Sequence, residues 1–133
     1  MKTNTSIKHA IALTAGLLFA ACGGYGTNPG SVSGGPGPSG ATITIGANGA
    51  VSPKNVTVTT GQSVTFVNND SKAHQIDSDP HPAHTDCPQI NVVDRLEVGQ
   101  SKLTNAFTTA KSCGFHDHLD DTNQNLRGTI TIQ

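Results

Sequence analysis

Five of the six histidines of this 133-residue chain fall in two short segments. His74, His81 and His84 lie in one, His116 and His118 in the other. Imidazole is the commonest protein ligand for copper and zinc, and it titrates near neutral pH. Asp77, Asp79, Asp86 and Asp117 are interspersed with these histidines. Carboxylates so placed can orient imidazoles by accepting their second N–H, or supply an oxygen ligand. A square-planar or tetragonal nitrogen set suits Cu(II); it also suits zinc, and the affinity order favours copper when both are present. The chemistry these residues point to is metal binding, provided that the two segments meet. If they do not, His116 and His118 read as ordinary strand residues on a solvent face.

Short strands must bring the segments together. Thr42 to Ile45, Asn55 to Thr60 and Ser63 to Asn68 alternate polar and apolar residues, as half-buried strands do, with turns at Gly61-Gln62 and Asn68-Asn69-Asp70-Ser71. A short strand around Ala73 to Asp77 leads into an irregular stretch, Ser78 to Asp94, where Pro80, Pro82 and Pro88 oppose regular structure. Further strands follow at about Ser101 to Thr108, Ser112 to His118 and Gly128 to Ile132. No segment has helical periodicity, although Asp94 to Glu97 could form one turn. About seven strands at such spacing predict an all-β fold, an antiparallel Greek-key sandwich or barrel, with Phe66, Phe107 and Phe115 in its core. A long loop in a compact domain is usually functional or disordered. This one holds His81 and His84, so a functional loop is expected.

The chain's first part reads as a leader and a tether. Lys2 and Lys8 precede an apolar run, Ala10 to Ala21, too short to span a bilayer as an ordinary helix. Residues 1–21 are therefore expected to be an export signal. Leu18-Phe19-Ala20-Ala21-Cys22 resembles the lipobox of bacterial lipoproteins, which implies lipidation of Cys22; a plain secretory signal cut near Ala21 is the alternative. Residues 22–40 are rich in Gly, Ser and Pro and read as a flexible tether, leaving a folded domain over 41–133. Without Lys2 and Lys8, six Lys and Arg face nine Asp and Glu, a net charge of about −3 that offers nucleic acid no basic patch. An oxidising compartment favours a Cys87–Cys113 disulfide, a loop closure that contributes about 3 kcal/mol. The C-x-x-H spacing of Cys113 and His116 leaves a copper thiolate as its rival.

The folded segment resembles the cupredoxins, the plastocyanin-like family of small copper proteins. Val51-Ser52-Pro53, Val56-Thr57-Val58, Gly61-Gln62-Ser63-Val64-Thr65-Phe66 and Asn68-Asn69-Asp70 followed by His74 are similar to the family's first half. Val98-Gly99-Gln100-Ser101, Ala106-Phe107-Thr108 and Gly128-Thr129-Ile130-Thr131-Ile132 are similar to its later strands. The resemblance implies that His74 is a copper ligand. The family's thiolate position, counted from Phe107 and back from Gly128, falls on Asp117 rather than Cys113. Met1 is the only methionine and lies in the leader, so a blue-copper centre is not expected. Phe115-His116-Asp117-His118-Leu119 instead resembles the His-x-His segments of multicopper oxidases, and His81-Pro82-Ala83-His84 their His-Pro-x-His stretch.

These readings combine into one expectation. An exported cupredoxin-like domain, tethered through lipidated Cys22 to a cell-envelope or periplasmic membrane, binds copper (or zinc) through three or four of His74, His81, His84, His116 and His118. Asp117, Asp79 and Asp86 are candidates to orient the imidazoles or ligate. Its use would be copper handling or electron transfer, with a redox or copper-transfer protein as partner, and a binding module is favoured over an enzyme. Two rivals remain: a copper redox enzyme subunit with an interchain site, which an obligate trimer would favour, and a metal-free structural domain. Neither a nucleophile constellation nor a phosphate-binding glycine loop stands out, so hydrolase and nucleotide roles lack support.

Overall fold

The computed structural model describes residues 35–133. The leader, Cys22 and most of the expected tether lie outside these residues. Nine strands form two sheets: β1 (Ser39–Gly46), β2 (Ala50–Ser52), β3 (Asn55–Val58), β4 (Ser63–Asn68), β5 (His74–Ser78), β6 (Asp94–Leu96), β7 (Ser101–Leu103), β8 (Ser112–Asp117) and β9 (Gly128–Ile132). One sheet has the order β2-β1-β4-β7, the other β3-β9-β8-β5-β6. The chain leaves the first sheet after β2, contributes β3 to the second, and returns as β4. That crossing makes β1 run parallel to β4 and β3 parallel to β9, so both sheets are mixed rather than purely antiparallel.

Alternation along the strands builds the interior, because successive side chains point to opposite faces. Ile43, Ile45, Val64 and Phe66 from one sheet meet Ile76, Phe115 and Ile130 from the other, all fully buried. Phe66 and Phe115 contact edge to face, with ring centroids 5.1 Å apart, the arrangement their quadrupoles favour. Phe107 completes the aromatic core.

Local differences from the sequence expectation have local causes. Asp94 takes a positive φ of 47°, which no helical turn accepts, and the residues after it pair as an edge strand with β5. β7 ends at Leu103, and Thr104 turns the chain by bonding the Val64 amide through its hydroxyl. Phe107 nevertheless stays beside β4, exchanging backbone bonds with Gly61 and Gln62. β1 begins at Ser39, inside the expected tether, and the Gly37 amide donates to Ser63 Oγ.

The long loop between β5 and β6 is packed in place. Cys87, Ile90 and Val93 enter the core, and Cys87 forms a disulfide with Cys113 of β8. The thiolate rival for Cys113 is thereby removed. Asn91 accepts from the Ser78 amide at 2.8 Å and donates to the His84 carbonyl at 2.8 Å, fastening the loop at both sides of the histidine pair.

Candidate metal centre

β5 and β8 are neighbours, and their register sets the site. Asp77 lies opposite His116, and Ile76 opposite Asp117. With period two, Ile76, Phe115 and Asp117 face the sandwich interior, while Asp77 and His116 share the outer face of the sheet. β8 ends at Asp117, whose Oδ1 accepts the Leu119 amide at 3.1 Å and caps the 3-10 turn His118–Asp120. His118 opens that turn on the same side as His116.

The start of the long loop folds over this outer face. The His84 amide donates to the Pro80 carbonyl at 2.8 Å, closing a tight turn that places His81 and His84 above the strand pair. His84 itself takes a φ of 51°. A left-handed conformation at a non-glycine residue costs roughly 1–3 kcal/mol.

His81, His84, His116 and His118 converge. One potential ligand atom from each lies within 4.8 Å of the other three. His84 Nε2 and His118 Nδ1 are 3.2 Å apart. With metal–nitrogen bonds of about 2.0–2.1 Å, adjacent donors on one ion sit roughly 2.9–3.4 Å apart and opposite donors about 4 Å. The pair already has ligand spacing, and the widest separation requires side-chain shifts of under about 1 Å. His81, on the exposed side of the group, has the freedom to make them.

The electrostatics suit a cation. Asp79 Oδ1 bonds His116 Nδ1 at 2.8 Å. Asp77 Oδ2 lies 3.7 Å from His84 Nδ1 and 3.9 Å from His118 Nδ1, and Asp121 Oδ2 lies 3.5 Å from His81 Nε2. Burial pushes the His84 imidazole below its ordinary pKa. Asp77 opposes this, and His116, His118 and His81 add to it because a second positive charge among them is unfavourable. The shift favours the neutral form of His84, which is the form that ligates a metal.

One atom is left over. His116 is completely buried, its Nδ1 is occupied by Asp79, and its Nε2 is the sole buried side-chain nitrogen or oxygen among the described residues without a hydrogen-bond partner. Leaving such a group unsatisfied costs about 1–3 kcal/mol. The lone pair belongs to the residue around which three other imidazoles gather. A ligated cation would satisfy it, so the donor set fits a metal on an observation independent of spacing.

His74 and Asp117 occupy a different place. His74 Nδ1 lies 2.7 Å from Asp117 Oδ2, and Nε2 lies 3.2 Å from Asp70 Oδ2. Both ring nitrogens are therefore engaged by carboxylates, and His74 stands apart from the four clustered histidines. The cause is parity: His74 shares the inward face of β5 with Ile76. Asp117 also accepts the Gln75 amide at 2.8 Å, so it closes the inner pocket rather than facing the cluster. The Ser71 amide, donating at 2.7 Å, holds the Asp70 carboxyl below its usual range; burial works against this and His74 adds to it. A pocket of about 270 Å³ lined by Asp70, His74, Asp117 and Asp120 adjoins this chain of groups. Asp86 is exposed and contacts the fold through its backbone, its carbonyl accepting from Lys111 Nζ at 2.6 Å.

Sequence reading missed Asp70, Asp121, Asn91 and Gly114. The position of Asp70, four residues before His74, was the available signal for that contact. Nothing in the sequence ties Asp121 to His81 or Asn91 to His84.

Comparison with known proteins agrees with the fold. No family model matches the chain. A plastocyanin from Scenedesmus fuscus is 31% identical over 97 residues, spanning 69% of this chain and 98% of the plastocyanin. A purple cupredoxin from Nitrosopumilus maritimus superposes with a TM-score of 0.55 at 21% identity, covering 70% of this chain and 99% of that one. The oxidized plastocyanin of Dryopteris crassirhizoma gives 0.55 at 21% identity, over 69% and 99% of the two chains. Auracyanin from Roseiflexus castenholzii gives 0.54 at 22% identity, over 74% and 99%.

Proposed function

This chain belongs to the plastocyanin-like cupredoxin family, and we propose that it is a copper-binding member whose ion is held by His81, His84, His116 and His118 on the outer face of the sheet. The observation that carries this reading is the unpartnered Nε2 of His116, a buried residue that clusters with three further histidines. The described residues contain no methionine, and both of their cysteines are joined in the disulfide, so no sulfur donor is at hand. An all-imidazole set favours Cu(II) in a tetragonal geometry and lacks the thiolate on which blue copper depends.

Such a site suits capture, buffering and delivery of copper better than rapid electron exchange. We place the protein at the cell envelope, lipidated at Cys22 and standing off the membrane on the Gly/Ser/Pro-rich residues ahead of β1, where it passes copper to a protein partner. Residues 1–21 are the export signal in this reading. Metabolic labelling with a fatty acid tests the anchor: label should follow Cys22 and disappear in Cys22→Ala.

Titration of the oxidised protein with Cu(II), followed by electron paramagnetic resonance, tests the metal. One tightly held equivalent with a tetragonal nitrogen spectrum and no intense visible charge-transfer band is the expected result. A blue-copper spectrum, or stronger retention of zinc than of copper in direct competition, would overturn the assignment.

A further inference from the structure

We propose that Asp79 is a positioning residue for this centre, fixing His116 as the tautomer whose bare Nε2 faces the cluster, and that Gly114 is the notch that admits the Asp79 carboxylate. The inference rests on the copper reading for its use, but its geometry stands on the protein alone.

The pairing of β5 with β8 ends formally at Ser78 and Phe115, yet the ladder continues one step, the Asp79 amide donating to the Gly114 carbonyl at 3.0 Å. Asp79 thus lies opposite Gly114 and diagonal to His116, on the outer face that both share. Diagonal neighbours on antiparallel strands are about 7–8 Å apart, so a short side chain reaches its diagonal partner only by leaning across the position opposite. Asp79 does so, and its Oδ1 comes to 2.8 Å from His116 Nδ1.

That lean requires glycine. A Cβ on residue 114 would overlap Asp79 Oδ2 and come within 3.0 Å of Asp79 Cγ and 3.3 Å of its Cβ. The obstructing group would be the carboxylate itself, at the end of a side chain with no length to spare. Any other residue at 114 therefore expels the carboxylate from His116.

The consequence for His116 is a defined protonation pattern. A carboxylate accepts, so Nδ1 carries the hydrogen and Nε2 presents its lone pair. Nε2 is the atom with no other partner. A carboxylate behind a ligating imidazole fixes the ring and raises its basicity, and removing such a group typically costs about 10–100-fold in metal affinity. Asp79 is also held from behind, its carbonyl accepting the Asp86 amide at 3.0 Å within the histidine loop. One residue thereby couples the strand ligand to the loop that brings His81 and His84.

Nitrogen-15 NMR of the histidine rings in the metal-free full domain, together with Cu(II) affinity, tests this. His116 should show a protonated Nδ1 and an unprotonated Nε2 in the intact protein. Asp79→Ala and Gly114→Ala should each lose that pattern and bind copper about 10–100-fold more weakly. Asp79→Asn, which keeps an acceptor oxygen, should retain the tautomer and most of the affinity. Should Gly114→Ala fail to fold, the contrast between Asp79→Ala and Asp79→Asn carries the test. An Nε2-protonated His116 in the intact protein, or an unchanged tautomer in Asp79→Ala, would overturn the proposal. Absence of copper binding with the tautomer pattern intact would overturn the copper reading and leave the Asp79–Gly114 assignment standing.

Discussion

Two histidine environments lie back to back on one strand pair, and they differ in what their nitrogens touch. On the inner face, His74 is bracketed by Asp117 and Asp70, with both ring nitrogens used. On the outer face, His116 has one nitrogen on Asp79 and the other on nothing, beside three more imidazoles. The inner group is complete as it stands, and the outer one keeps an unpartnered nitrogen. Adjacent residues of β8, His116 and Asp117, serve these opposite ends because alternation sends them to opposite faces.

The contrast is sharpest in paired substitutions. A structural four-ligand zinc site gains roughly 10–16 kcal/mol, about 3 kcal/mol per ligand, and on that scale His116→Ala with His118→Ala should weaken Cu(II) binding about ten-thousandfold in a titration. His74→Ala should do the reverse. It leaves Asp117, whose side chain is 2% exposed, as a buried carboxylate without its imidazole hydrogen-bond partner, and should cost about 1–3 kcal/mol in denaturant unfolding while copper affinity of the folded protein holds. Copper affinity that follows His74 and ignores His116 would break the distinction.

The disulfide supports both faces but only one ligand set. Cys87 lies on the loop with His81 and His84, and Cys113 on the strand with His116. Replacing both cysteines by serine should lower stability by about 3 kcal/mol and weaken copper binding in the same samples, because the loop donors lose their tie to the strand donors. A loss of stability with unchanged affinity would show that Asn91 and the core contacts of Ile90 and Val93 suffice to hold the loop.

His84→Gly separates ligand from scaffold more finely. Glycine accepts the φ of 51° freely, so the metal-free protein should be no less stable, while copper affinity drops. Thermal melts of apo and copper-loaded samples give both quantities.

The smallest effect concerns pH. The folded-state pKa of His84 lies below its unfolded value, so the unfolded chain binds more protons in the interval between them. Its contribution to metal-free stability is present above the ordinary imidazole pKa of about 6.5 and is lost as pH falls through the depressed folded value. Melting temperature of the apo protein should therefore rise with pH across that interval, and His84→Gln should flatten the rise. Copper binding steepens the dependence, since the ligands must shed protons.

Much of this arrangement was legible in the residues. Period-two alternation located most strands. The absence of methionine beyond the leader pointed away from blue copper. What the sequence did not reveal was which face of β5 carries His74, because a strand's register with its neighbour is fixed by packing across both sheets. A local pattern cannot tell an inward histidine with two carboxylates from an outward one awaiting an ion. The parallel pairings escaped for a similar reason: they follow from the crossing between sheets, which alternation within each strand does not encode. The need for glycine at 114 depends on Asp79 lying over it from the neighbouring strand, which no local pattern encodes.

Anomalous diffraction at the copper edge from crystals of the Cu(II)-loaded protein tests the outer-face assignment most directly. A single peak is predicted among the rings of His81, His84, His116 and His118, with the His74–Asp117 contact intact. A peak at His74 and Asp117, with the four outer histidines unoccupied, would contradict it.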